Sequence, residues 1–211
     1  MSSIFEVLTP AADASLLSVA ELAACLGVPE DTNVDVLNEL RASVSSDLAA
    51  ECGIRTAPPA PVTFRQESLR DTFRLARGEP TLWLSRFPVL AISSITVDGT
   101  SLAPTDYLVT VASGALARIV DDRETRWRAA KVVVTYQAGW ETVPESLKAA
   151  ARKLAQRRWP DARPGAPNPN LKRERIEGWG EWERWVAPAS DPAIPQDVRD
   201  MLVPYMHQVW A

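Results

Sequence analysis

The period of apolar positions changes twice along this chain. From Val19 to Cys52 they recur every three or four residues, from Val62 to Gln137 they mostly alternate, and from Val143 the helical spacing returns. Ser18 and Glu21 stand at capping-box spacing, so each side chain can satisfy a free amide of a first helical turn. Val19, Leu22, Ala23 and Leu26 then share one face, Gly27 is placed to end the helix, and Pro29 discourages its continuation. A second helix begins at Asp31 or Thr32, carries Leu37, Leu40, Val44 and Leu48 inward, and closes at Gly53. The short turn between the two predicts an antiparallel pair.

Alanine and proline alternate irregularly at 57–61, giving a stiff extended connector. Beyond it, Val62–Gln66, Leu69–Ala76, Thr81–Ser85, Leu90–Val97, Tyr107–Val111, Leu116–Val120 and Lys131–Gln137 read as strands, with turns at Asp98-Gly99 and Ser113-Gly114. A third helix starts at Val143-Pro144-Glu145 and buries Leu147, Ala150, Ala151, Leu154 and Trp159 until Pro160 stops it. A proline-rich spacer follows, then Trp179, Trp182 and Trp185 among Arg and Glu. A last helix opened by Pro195 carries Val198, Leu202, Tyr205 and Val209, with Pro204 expected to kink it.

The expected fold class is α+β: an antiparallel helix pair and a third long helix, with an inserted small antiparallel β-domain and an extended tail ending in a short helix. The expected boundaries are 1–14 for a flexible arm, 15–56 for the helix pair, 57–142 for the β-domain, 143–159 for the third helix and 160–211 for the tail.

Composition narrows the function classes. The formal net charge is −4, from 23 basic and 27 acidic residues, which is not the bulk signature of a nucleic-acid coat. The longest apolar runs fall far short of the roughly 20 residues that span a bilayer. The N-terminus lacks a basic start followed by an apolar core, so the expected site of synthesis and residence is the cytoplasm, without membrane partners. Cys25 and Cys52 lack metal-type spacing and read as small buried residues.

Candidate chemistry is sparse. His207 is the only histidine and stands near the C-terminus, so no cysteine or serine has an evident base, and no catalytic residue, metal site or cofactor is expected. Asp121-Asp122, Asp98 and Asp106 could hold a hard cation, but aspartates that satisfy their own backbone in turns explain the same residues. Two features suggest contact instead. Lys148, Arg152, Lys153, Arg157 and Arg158 lie along the third helix: a solvated face, a subunit interface or a DNA-channel lining. Trp179, Trp182 and Trp185 either fold back on the chain or anchor a partner.

The order of these parts resembles the head–tail connector (adaptor) proteins of tailed bacteriophages and phage-derived gene transfer agents. The resemblance covers roughly residues 15–206. It rests on SVAELAACLG and VDVLNELRASVSSDLAAECG, the strand segment WLSRFPVLAISSITVDG, Thr105-Asp106-Tyr107, GALARIV, Trp127 and VVVTYQAGW. It continues through VPESLKAAARKLAQ, ERIEGWGEW and IPQDVRDMLVPY. No single motif is strong; their order and spacing carry it. The resemblance implies a non-enzymatic virion protein that forms a ring, commonly of twelve copies, beneath the portal. Such a ring extends the channel for double-stranded DNA, without sequence-specific binding, and offers a platform for a stopper or tail protein. It also implies that Trp179, Trp182, Trp185, Ile194, Val198, Leu202 and Tyr205 contact the portal. Alternatives are a virion decoration or glycan- or protein-binding β-domain, and a carboxylate-dependent hydrolase.

Overall fold

A computed structural model describes residues 2–31, 33–55, 57–164, 173–176, 180–183 and 193–206; at 173–176 and 180–183 only the backbone is described. The chain divides into two units. Residues 1–14 and 53–144 form a β unit, and 15–52 with 145–211 form a helical unit, so mixed helix and antiparallel sheet is the observed class.

The helical unit contains α1 (Val19–Leu26), α2 (Val34–Glu51), α3 (Glu145–Ala162) and α4 (Gln196–Leu202). The capping box forms as the sequence predicts. Ser18 Oγ accepts from the Glu21 amide at 3.1 Å, and Glu21 Oε2 accepts from the Ser18 amide at 2.8 Å. Gly27, at φ 69°, ends α1 in the left-handed region that only glycine enters freely. The core is built from Leu22, Leu37, Val44, Leu48, Leu147, Leu154, Val198 and Leu202, each nearly or fully buried. A correction concerns Pro160, expected to stop α3: the helix runs on to Ala162. A proline gives up its own amide bond and crowds the carbonyl four residues back, and here in the final turn those costs do not end the helix.

The β unit has a five-stranded sheet in the order β1-β2-β9-β4-β5: β1 (Ser2–Thr9), β2 (Glu67–Arg74), β9 (Lys131–Ala138), β4 (Val89–Val97) and β5 (Thr100–Ser101). A smaller sheet joins β3 (Thr81–Trp83), β6 (Tyr107–Thr110), β7 (Ala115–Val120) and β8 (Arg123–Thr125). Their inner faces share one core that includes Leu69, Phe73, Leu82, Leu116, Val134 and Tyr136. Asp98-Gly99 forms the two-residue β4–β5 turn, and Asp121-Asp122 forms the β7–β8 turn, every central residue having positive φ.

Two differences from the sequence expectation stand out. Ser2–Thr9 is an edge strand paired along β2 rather than a loose arm, because Phe5 and Val7 have an apolar core to pack against. Val62–Gln66 is not a strand. Its backbone is instead held across Gly139, where the Trp140 amide donates to the Phe64 carbonyl at 2.8 Å. Gly139 has φ 102°, and a Cβ there would lie 2.3 Å from the Arg65 carbonyl oxygen, so no other residue fits. Two further short strands, β10 (Arg173–Ile176) and β11 (Gly180–Glu183), pair with each other in the tail.

Candidate interaction surfaces

The basic row of α3 turns onto carboxylates of its own unit. Lys148 Nζ bonds Glu21, Arg152 bonds Glu145, and Lys153 and Arg157 converge on Asp197 Oδ2 at 2.8 and 2.6 Å. Arg158 donates to Asp47 Oδ2 at 2.6 Å, to Ser43 Oγ at 3.1 Å and to the Ala193 carbonyl at 3.3 Å. Arg199 adds a pair to Glu51 at 2.9 Å. The bond from Lys148, with the Ser18 amide, holds the Glu21 carboxyl below its ordinary pKa, and Lys153 and then Arg157 do the same for Asp197. Exposed pairs of this kind are individually weak and screened by salt. Their collective effect is on the field: five α3 cations meet four carboxylates, leaving little net charge along the row.

The tail residues divide. Ile194, Val198 and Leu202 are buried in the core of the helical unit, and Tyr205 Oη shares a hydrogen bond with Ser146 Oγ on α3. Trp179, Trp185 and His207 lie outside the described residues, as does the side chain of Trp182, whose backbone belongs to β11. Cys52 is buried, which pushes its thiol up to about 12, and Cys25 is half-buried with its thiol also raised by burial.

The β unit holds a polar cluster that sequence reasoning missed. Glu67 and Asp71 sit on the inward face of β2, beside Leu69 and Phe73. Asp71 Oδ2 accepts from the Ser85 amide at 2.7 Å and from Tyr136 Oη at 3.0 Å. Arg86 Nη1 stands 3.2 Å from Glu67 Oε2 and donates to the Thr63 carbonyl, while Nη2 donates to the Arg55 carbonyl at 3.3 Å. The guanidinium groups of Arg55 and Arg86 lie 6.0 and 5.7 Å from the centroid of the Phe5 ring, so β1 covers the cluster. Burial raises the pKa of both carboxyls against the opposing pull of Arg86 on Glu67 and of the Ser85 hydrogen bonds on Asp71. Burial also raises Tyr136 and lowers Arg86. The signal in the sequence was the alternation Glu67, Leu69, Asp71, Phe73, which places two acids on an inward face.

Neither of two clefts on this unit reaches those acids. One, of about 680 Å³, lies between β1 and the proline-rich 57–61 loop; the other, of about 500 Å³, lies beside Trp127. A carboxylate hydrolase needs its acids where a substrate can enter, and this pair is sealed. On the outer face of the small sheet, register brings Trp83 beside Ala115 and Leu108 beside Ala117. Trp83 and Leu108 remain 38% and 54% exposed, an apolar strip of the kind that assemblies cover.

No protein-family description matches the chain, and no curated protein does. Solved structures do share its fold. A chain in the "Virion of native gene transfer agent (GTA) particle" matches with TM-score 0.53 and 16% identity over 78% of this chain and 88% of that one. A chain in the "Neck of empty GTA particle computed with C6 symmetry" gives 0.51 and 17% over 78% and 88%. A chain in the "Neck of native GTA particle computed with C12 symmetry" gives 0.51 and 16% over 78% and 87%. At these identities the chain has the fold of chains found in such particles.

Proposed function

We propose that this chain is a structural subunit of the neck of a phage-like particle. It is one copy in a ring beneath the portal, and it extends the DNA channel and offers a platform for the stopper or tail. The observation that carries this reading is a fold shared with neck chains over 78% of this chain. The exposed strip around Trp83 and Leu108 supports a role in assembly, and the sealed Glu67–Asp71 cluster supports a non-enzymatic one. Ring interfaces join one face of a copy to a different face of the next, so the two sheets of the β unit need not meet their own likeness. Trp179, Trp182 and Trp185 are the proposed portal contact. Ile194, Val198 and Leu202 serve it indirectly, by fixing α4 on α3.

The test is localisation and loss. An antibody label on purified particles is expected at the vertex where the genome leaves, and particles made without the protein are expected as DNA-filled heads lacking tails. Normally tailed particles from the deletion strain would refute the reading. Replacing the three tryptophans by alanine is expected to abolish capture of purified portal while leaving the thermal melt unchanged.

A further inference from the structure

The cations of α3 are balanced, but those at one end of the β unit are not. Residues 74–79 run antiparallel beside 126–131. Arg74 faces Lys131 in the β2–β9 ladder, the Leu75 amide donates to the Ala130 carbonyl at 2.9 Å, and Glu79 and Trp127 exchange backbone bonds at 3.0 and 2.8 Å. This ribbon carries Arg74, Arg77, Arg126, Arg128 and Lys131, all exposed. Exposed Glu124 stands two residues before Arg126, and two further acids on or beside the ribbon are already engaged. Glu79 is 3.7 Å from Arg77 Nε, and Asp98 Oδ1 is occupied by the backbone amide of Lys131 at 2.8 Å. The side chains of Arg74, Arg128 and Lys131 meet no carboxylate among the described residues.

Two observations say that an anion belongs there. Arg74 and Lys131 are direct cross-strand partners, and like charges so placed destabilise a sheet unless a counter-charge comes between them. Beside the ribbon, the 500 Å³ cleft is lined by Arg118, Arg126 and Arg128 and by no carboxylate. Arg118 is partly engaged, 3.8 Å from Asp106 Oδ2 and donating to backbone carbonyls; Arg126 donates to the Gly78 carbonyl at 3.5 Å.

We infer that this ribbon and cleft seat the phosphate backbone of double-stranded DNA. The five cations of the ribbon can meet several phosphates of a duplex carrying one charge per about 1.7 Å. Trp127, the aromatic in the cleft, is 2% exposed and its Nε1 is spent on the Leu116 carbonyl at 3.1 Å, so it offers no face for base stacking. Contact limited to phosphates is blind to sequence, as a surface past which a genome slides requires. The inference rests on the neck reading for its biological setting and places the DNA-facing cations on the β unit rather than on α3.

The experiment is fluorescence anisotropy of the full chain with 30-bp duplexes of two unrelated sequences, from low to moderate salt. With five phosphates neutralised, the slope of log K against log salt is about −4.5, or about 500-fold weaker binding at 200 than at 50 mM. The two duplexes are expected to bind alike. Arg126→Gln/Arg128→Gln/Lys131→Gln is expected to shrink the slope by about three, with an unchanged melt. Lys153→Gln/Arg157→Gln on α3 is expected to leave it unaltered. No binding by the wild type at about 20 mM salt, equal loss in the α3 variant, or tighter binding of polyglutamate than of DNA would each overturn the inference. A negative result here with the protein present at the particle vertex would sink this surface alone.

Discussion

Removing Arg86 tests whether the buried cluster holds the β unit together. The Glu67 and Arg86 side chains are 0% and 3% exposed, and their closest approach is 3.2 Å. In Arg86→Met the Glu67 carboxylate stays buried without its cation, a situation that costs about 3–5 kcal/mol. The Thr63 and Arg55 carbonyls also lose a donor, adding about 1 kcal/mol each. Against a total stability of about 5–15 kcal/mol, that single change brings the unit near its unfolding threshold. Glu67→Leu costs less, because Arg86 keeps both carbonyl acceptors. The double variant Glu67→Leu/Arg86→Met removes both charges and is expected to be more stable than the sum of the singles implies, by about 2–3 kcal/mol. Urea unfolding followed by circular dichroism gives all four corners of the cycle. In Arg86→Met the Glu67 carboxyl is pushed further up, so the deficit is expected to shrink as the pH falls from neutral toward 4.5. A cost below about 1 kcal/mol for Arg86→Met, or simple additivity in the cycle, would refute the argument.

The two units are expected to respond to acid in opposite senses. Glu67 and Asp71 are held above 4.5 and 3.8, so their contribution is whole below those values and lost as the pH rises through their folded pKa. Glu21 and Asp197 are held below 4.5 and 3.8, so theirs is present above those values and lost as the pH falls through their folded pKa. Region-resolved hydrogen exchange on acidification checks this, and parallel loss of protection in both units would count against it. Gly139→Ala forces a Cβ to within 2.3 Å of the Arg65 carbonyl at φ 102°, and is expected to cost at least about 2 kcal/mol by thermal melt. Deleting residues 1–9 strips Phe5 and Val7 from the core they pack against and uncovers the guanidinium groups of Arg55 and Arg86. It is expected to destabilise the β unit by about 2–4 kcal/mol, measured by urea midpoint.

Local signals were legible where one short segment decides the outcome. The Ser18–Glu21 box, the Gly27 cap, the Asp98-Gly99 turn and the strand alternation all follow from neighbours a few residues apart. What failed depended on distant partners. Ser2–Thr9 has no strand signal strong enough to stand alone and is fixed by pairing with β2, more than fifty residues later. Arg65 and Trp140 are brought together by Gly139, a residue with no local claim to that role. The α3 cations were legible as a row, but their partners Glu21, Asp47 and Asp197 come from three other segments, so spacing alone left open a free face that the fold neutralises. The unbalanced ribbon was invisible for the same reason: Arg74 and Lys131 become neighbours only once β2 and β9 pair.

The division of the chain also sets an order of events during synthesis. Ser2–Thr9 emerges before α1 and α2, yet its partner strand appears only after both have left the ribosome, so the strand must wait in solvent while a helical hairpin grows behind it. That hairpin in turn lacks α3 until the whole sheet has been made. Each half is therefore begun before, and finished after, a stretch of the other. A nascent chain halted between Cys52 and Glu145 exposes the apolar faces of Leu22, Leu37 and Leu48, which makes such truncated products targets for proteolysis.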